Sequence, residues 1–381
     1  MKYYIIAGEA SGDLHGSNLI KELKKLDQQA VIRCWGGDLM EEAGATVVKH
    51  YKDLAFMGFA EIVKNLPTIL RNIKFCKKDI LSFEPDALIL IDYPGFNLRI
   101  AQWAREKKLR VIYYISPQVW AWKESRVRLI KQCVDKMLVI LPFEKEFYKK
   151  WNYEVDYVGH PLVEVVEEFK SRQSGVGSRE PDYYRLQTTD LPTIALLPGS
   201  RKQEIQKKLP IMLEVSRMFP KYQFVVAQAP GQEDSFYRRM LQNYPNVKSV
   251  KNQTYDLLIQ AKAACVTSGT ATLETALFGV PEVICYKGSA ISYQIAKRLI
   301  KVKYISLVNL IMDKPVVKEL IQDELTVDNL RKELDELLND ASRQKELQSD
   351  YKNLKNKLSE GGHASANAAK IIAKFLRISA F

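Results

Sequence analysis

Three stretches of this chain run from apolar residues into groups able to do chemistry. "ALILIDYPGFN", residues 87–97, drives five apolar residues into Asp92. A carboxylate there is costly unless it has partners or a task. Asp92 is therefore the candidate general base; the bland alternative is a carboxylate capping a nearby turn. Asn97 and the Pro94–Gly95 turn would shape its loop. In "LPGSRKQEI", residues 197–205, Gly199 and Ser200 can offer backbone N–H groups. Arg201 adds a planar, permanent charge that suits phosphate. In "TSGTATLE", residues 267–274, Ser268, Gly269 and Thr270 would head a helix whose dipole favours an anion. Glu274 follows Thr270 by one turn on the same face, where it can accept hydrogen bonds from the two hydroxyls of a ribose. Each loop also reads as a simply capped helix; the pair, with an acid at that offset, carries more weight.

A fourth loop, "GEASGD", residues 8–13, has glycines at 8, 12 and 16. This is neither G-x-G-x-x-G nor a P-loop. Glu9 and Asp13 would repel a pyrophosphate. With Ser11 they suit a hydroxyl-bearing acceptor, and Asp13 equally suits a helix cap. Trp120 and Trp122, in "SPQVWAW" beside Lys123 and Arg126, suit either a sugar or acyl site or the core. "LPFEKEFY" (141–148) and "VGHP" (158–161) add to the same side. His15 and His160 are the histidines nearest these loops, and lone histidines are more often structural. No two aspartates are spaced D-x-D, so no metal site is expected. Charge on a leaving phosphate then falls to Arg201, N–H groups and a helix dipole.

Something must hold these loops at one end of a scaffold. Apolar runs alternate with amphipathic stretches throughout. Strands are expected at Lys2–Ala7, Ala30–Trp35, Asp86–Asp92, Arg110–Ile115, Lys136–Leu141 and Val155–Val158. After a polar interval they resume at Thr193–Leu197, Gln223–Ala227, Ala263–Thr267 and Glu282–Tyr286. Helices are expected at Leu14–Leu26, Pro67–Phe83 and Leu98–Lys107. Such alternation argues for α/β architecture with parallel sheets covered on both faces. The expected division is an acceptor domain over 1–168, a linker over 169–190, a second domain over 191–350 and a helical segment over 351–381. Two doubly wound domains facing a cleft bind ligands at the carboxyl ends of their strands, which is where all four loops fall.

Composition narrows the classes. The 381 residues are 46% hydrophobic and 27% charged, as in ordinary globular proteins, with a formal charge of +12. No apolar run reaches the length of a membrane span. Nothing matches a nucleic-acid-binding signature, so no nucleic acid partner is expected. The five cysteines are scattered, without C-x-x-C, and read as reduced thiols of a cytoplasmic protein.

Taken in order, "GEASGD", "MGFAEI" (57–62), "IDYPGFN", "SPQVWAW", "FEKEFY", "GHP", "LPGSR" and "SGTATLE" resemble the lipid A disaccharide synthase family. "KYISLVNL" (303–310) and "VVKELIQ" (316–322) extend the likeness towards the C-terminus. The resemblance implies two Rossmann-like domains in the glycosyltransferase B arrangement. It implies an inverting, metal-independent transferase that uses no cofactor. The donor would be UDP-2,3-diacylglucosamine and the acceptor 2,3-diacylglucosamine 1-phosphate, joined through the acceptor's 6-hydroxyl. Work at the inner face of the bacterial inner membrane is implied as well. Asp92 matches the family's essential acid. Arg201, Ser268, Gly269, Thr270, Glu274 and Asn309 match the donor side, and Met57 joins the acceptor side. Many relatives carry a second acid where this chain has Gly95, so no base is required there, and His15 stands where relatives often have an aliphatic residue.

Acylated substrates require access to a bilayer. The expected docking stripe is Ile62, Val63, Leu66, Ile69, Leu70 and Ile73, at helical spacing and flanked by lysines and arginine. The same stripe would equally pack a helix onto a sheet. A homodimer is a further expected assembly. Competing readings are a UDP-sugar epimerase, a transferase acting on lipid-linked peptidoglycan precursors, and a nucleotide-sugar sensor without activity.

Overall fold

Buried apolar strands set the architecture. In the computed structural model, which describes residues 1–54, 66–174, 191–289, 293 and 302–378, all five residues of Ala87–Ile91 are buried. A strand with no solvent face needs cover on both sides. It lies inside a seven-stranded sheet of β1 (Lys2–Ala7), β2 (Val31–Gly36), β3 (Thr46–His50), β4 (Ala87–Ile91), β5 (Val111–Tyr114), β6 (Lys136–Val139) and β7 (Asp156–Tyr157). Their order is β3-β2-β1-β4-β5-β6-β7, every pair parallel. Ile5 pairs with Cys34 on one side and Ile89 on the other, which fixes the central register.

The second sheet repeats the plan with β8 (Thr193–Leu197), β9 (Gln223–Gln228), β10 (Val247–Lys251), β11 (Ala261–Thr267), β12 (Glu282–Tyr286) and β13 (Lys318–Ile321). Its order is β10-β9-β8-β11-β12-β13, again all parallel. In both sheets the direction of winding reverses beside the first strand, between β1 and β4 and between β8 and β11. Ligands bind at such switch points.

The chain forms two compact units, Met1–Pro161 with Leu358–Phe381, and Leu162–Lys357. These limits differ from the expected 1–168, 169–190, 191–350 and 351–381. The chain leaves the first unit at Pro161. Residues 169–174 of the expected linker belong to the helix Pro161–Ser174, and the remainder lies outside the described residues. The last residues are not a separate segment: the helix Ala364–Ile378 packs on the helix Ala10–Leu26 of the first unit. Its Ala364, Ala368, Ala369, Ile372 and Leu376 are fully buried.

Two helices begin earlier than expected. The first starts at Ala10, not Leu14, directly after Glu9 in extended conformation. Another starts at Pro94, not Leu98. Proline suits a first helical turn, because the N–H it lacks has no partner there.

The docking stripe does not survive as a unit. Along the helix Leu66–Phe83, Ile73 is buried and Ile69 packs against the core with Cys76 and Ile80. For Ile69 and Ile73 the core alternative holds: these residues cover the sheet. Leu70 is exposed (55%). Ile62 and Val63 lie outside the described residues, as do Met57 and the Leu66 side chain.

Candidate functional site

Asp92 follows β4 at the switch point of the first sheet, in a backbone conformation few residues adopt. Asp92 and Tyr93 have φ of 42° and 49°, and Ile115, after the neighbouring β5, has 66°. Non-glycine residues in this left-handed region persist only where the surroundings hold them. Here Asn97 donates from Nδ2 to the carbonyls of Asp92 (2.8 Å) and Ile91 (3.1 Å). The Tyr113 hydroxyl donates to the same Asp92 carbonyl at 2.5 Å. With its main chain pinned, the Asp92 carboxyl is raised to about 7, first by burial and then by the charge of Glu9; a backbone N–H of Tyr93 acts in the opposite direction. This is the range a general base needs. Gly8 lets the two loops meet, since a Cβ there would fall 2.4 Å from the Tyr93 ring. At Gly95 a Cβ would meet nothing within 4 Å, so packing does not require glycine there.

Several residues expected to face an acceptor are used otherwise. Asn97 is completely buried and serves the Asp92 backbone, not a ligand. Asp13 does not cap its own helix. Its carboxylate accepts from the N–H groups of Gly37 (2.7 Å), Leu39 (3.2 Å) and Met40 (3.1 Å). It thereby caps the helix Asp38–Glu42, whose leading N–H groups need an acceptor. Trp120 is buried, edge-on to Phe143 with centroids 4.9 Å apart. Trp122 is exposed (46%), with Lys123 and Arg126 over its ring. Glu9 and Ser11 are exposed at the loop. His15 and His160 are both buried, and burial lowers them to about 4 and about 3. Both are neutral near pH 7.

The stretch "LPFEKEFY" contains a further buried acid. Glu144 is buried and accepts from the N–H groups of Ile140 (3.2 Å) and Leu141 (3.0 Å). Burial raises it to about 7, opposed by those donors and by Ser116 and Trp120. It holds the backbone just past β6.

In the second unit the loops after β8 and β11 meet at a cavity of about 450 Å³, lined by Gly199, Ser200, Arg201, Ser268, Gly269, Thr270 and Glu274 among others. Gly199 has φ 112°, and a Cβ there would come within 2.8 Å of Glu204 Oε2, so the turn requires glycine. The helices Lys202–Ser216 and Thr270–Phe278 both start at this cavity. Their first N–H groups, with Arg201, make it suited to a diphosphate. Ser268 turns its hydroxyl to the Ile305 carbonyl (2.8 Å), leaving its backbone for a ligand.

Glu274 has one oxygen occupied: the Tyr255 hydroxyl donates to Oε1 at 2.7 Å. Burial raises the Glu274 carboxyl and this donor lowers it. Tyr255 is itself wedged against Phe169 and Phe278. No motif marked it, because it comes from the neighbouring helix Thr254–Gln260. Gln228, Ala229, Pro230 and Thr254 also line the cavity.

Asn309 does not line this cavity. It is buried, donating from Nδ2 to the Val317 carbonyl (2.9 Å) and Glu319 Oε1 (3.0 Å), while its Oδ1 accepts from the Val317 N–H (2.9 Å). Its amide is spent on joining two backbone segments. Among the described residues, no group of three His, Cys, Asp or Glu side chains could hold a metal ion, and no helix is long and apolar enough to cross a membrane. All five cysteines are free and buried.

Known proteins resemble this chain at two levels. Among solved structures, a UDP-GlcNAc 2-epimerase of Methanocaldococcus jannaschii in complex with UDP-GlcNAc and UDP matches with a TM-score of 0.69 and 14% identity, over 98% of this chain and 100% of that one. CalG4, the calicheamicin glycosyltransferase, matches with a TM-score of 0.60 and 15% identity, over 100% and 99%. At such identities the likeness is one of fold, the two-domain glycosyltransferase B plan. Sequence similarity is more specific. The lipid-A-disaccharide synthase of Syntrophus aciditrophicus is 39% identical, over 96% of this chain and 95% of its own. That of Coxiella burnetii is 37% identical, over 97% and 96%. The model of the lipid-A-disaccharide synthetase family matches residues 3–374. The loops that build both sites lie within that span, and the chain belongs to the lipid-A-disaccharide synthetase family.

Proposed function

We propose that this protein transfers 2,3-diacylglucosamine from its UDP derivative to the 6-hydroxyl of 2,3-diacylglucosamine 1-phosphate, with inversion. The products are the β-1,6-linked disaccharide 1-phosphate and UDP. The observation that carries this reading beyond family membership is Asp92, held in a strained conformation at a switch point, its carboxyl raised to about 7. In the ionised form it takes the proton of the acceptor hydroxyl. The hydroxyl oxygen then bonds to the anomeric carbon, and the bond from that carbon to the UDP oxygen breaks on the opposite face. The electron pair leaves with UDP, where Arg201 and the N–H groups of Gly199–Lys202 and Gly269–Ala271 meet the charge. Glu274 holds the ribose through the oxygen that Tyr255 leaves available.

The acyl chains call for a membrane surface, and this reading places the protein on the inner face of the bacterial inner membrane. Support comes from the outward side of the helix Leu66–Phe83, where Leu70, Phe75 and Leu81 are exposed among Arg71, Lys74 and Lys78. Apolar groups among cations suit anionic headgroups.

The test is incubation with the UDP-diacylglucosamine donor and the monosaccharide phosphate acceptor, followed by mass spectrometry. Formation of the disaccharide phosphate supports the reading. Conversion of the UDP-sugar without acceptor would instead indicate an epimerase, and no turnover of either would leave a binding protein.

A further inference from the structure

A carboxylate stands in the anion site of the second unit. Glu204 lines the cavity with Gly199, Ser200 and Arg201. A diphosphate resting on that turn meets a like charge. Two cations flank it, and they differ in one respect. Arg201 places Nη1 3.4 Å from Glu204 Oε1 and is 59% exposed. Lys208, one turn along the same helix, places Nζ 3.8 Å from Oε2 and is only 2% exposed. Lysine is almost never so enclosed unless paired. Burial lowers its pKa, and Glu204 opposes that change.

We propose that Lys208 is a positioning residue for the diphosphate, a buried counter-charge that lets Arg201 change partners. In the empty cavity Glu204 shares its two oxygens between Arg201 and Lys208. When a nucleoside diphosphate arrives, the exposed guanidinium turns from Glu204 to the phosphate oxygens. Lys208 is enclosed and stays, so the carboxylate left behind remains neutralised and does not repel the incoming anion. Glu204 thereby keeps Arg201 near its working position without competing for it. This inference rests on the reading of the cavity as the UDP site.

Calorimetric titration of the full-length protein with UDP and with uridine tests it, across wild type, Lys208→Met, Glu204→Gln and the double variant. Lys208→Met should weaken UDP by about tenfold or more, the scale of one unbalanced, partly screened charge. Uridine, which lacks the phosphates, should bind within about twofold of wild type. In the Glu204→Gln background the same lysine substitution should cost UDP little, because no carboxylate remains to neutralise. Equal weakening of UDP and uridine, or an undiminished loss in that background, assigns Lys208 a merely structural role and overturns the proposal. Should Lys208→Met not fold, Glu204→Gln carries the test: it should bind UDP no more weakly than wild type, and a tenfold loss overturns the proposal. Wild type that does not bind UDP overturns the reading of the cavity itself, whereas wild-type binding with an unchanged Lys208→Met overturns this inference alone.

Discussion

Asp92 combines two costs, a left-handed backbone and a carboxylate withdrawn from water, and both point to a task. Asp92→Asn should lower turnover by about a hundredfold or more, the scale of general-base loss, with the circular dichroism spectrum unchanged; turnover near wild type would remove Asp92 from the mechanism. The sign of the pH dependence follows from the raised carboxyl. A base works ionised, so kcat/KM should rise as pH passes through about 7 and level off above it. Glu9→Gln removes a neighbouring negative charge and should move that midpoint to lower pH; an unmoved midpoint would show that Glu9 does not act on Asp92. In the second unit Arg201→Ala should weaken UDP but spare uridine, whereas Glu274→Ala should weaken both, as titration would show. Activity should survive EDTA, and rescue by added magnesium after chelation would contradict the role given to Arg201. At this scale residue type and spacing were enough to place Asp92 at the end of an apolar strand and Arg201 and Glu274 at one cavity. They do not show what Asp13, Asn97 and Asn309 bond to. Each is polar and beside a ligand-type loop, yet bonds backbone groups, and Asn309 the Glu319 carboxylate as well, which spacing cannot reveal.

The strands absent from the sequence reading, β3, β10 and β13, are all edges of their sheets. "TVVKH", "VKSVK" and "KELI" mix lysine with a few apolar residues. Edge strands are kept short and charged because an apolar edge invites pairing with other chains, which erases the pattern that marks a central strand. The helix Leu66–Phe83 shows the opposite problem. Its pattern was legible, and two faces compete for it: Ile73, Cys76 and Ile80 pack inward, Leu70 and Leu81 are exposed, and Phe75 is half-exposed beside the buried Trp35. Substitution separates the two. Ile73→Ser should lower stability by about 2–4 kcal/mol, as expected for a polar group replacing a buried aliphatic one, measurable by thermal unfolding. The combined Leu70→Ser and Leu81→Ser variant should leave thermal stability nearly unchanged and reduce sedimentation with anionic vesicles. Undiminished sedimentation would place the docking surface elsewhere.

Across the whole molecule, the tandem repetition of a doubly wound sheet could be read from alternation alone, but the ownership of the last residues could not. Helical periodicity shows that a segment is amphipathic, not which partner it covers. The return into the first unit is closely fitted. Gly361 lies against Gly159, where a Cβ would come within 2.2 Å of the Gly159 nitrogen, and the His160 N–H donates to the Leu358 carbonyl at 3.2 Å. The Tyr157 hydroxyl donates to the same carbonyl at 3.1 Å. Removing residues 358–381 should therefore leave UDP binding by the second unit intact while the first becomes sensitive to protease. A truncated protein that resists proteolysis throughout would refute this.

That returning helix also sets an order of events on the ribosome. Residues 1–161 emerge first, but the buried face of the helix Ala10–Leu26 is completed only by the helix Ala364–Ile378. At ordinary rates of synthesis the roughly 200 intervening residues take about 10–40 s to appear. Throughout that interval the second unit can fold from contiguous chain, while the first, although begun earlier, waits with an apolar face uncovered. Of the two units the one begun first is thus the one finished last, and nascent chains should engage chaperones through it until the helix Ala364–Ile378 has emerged.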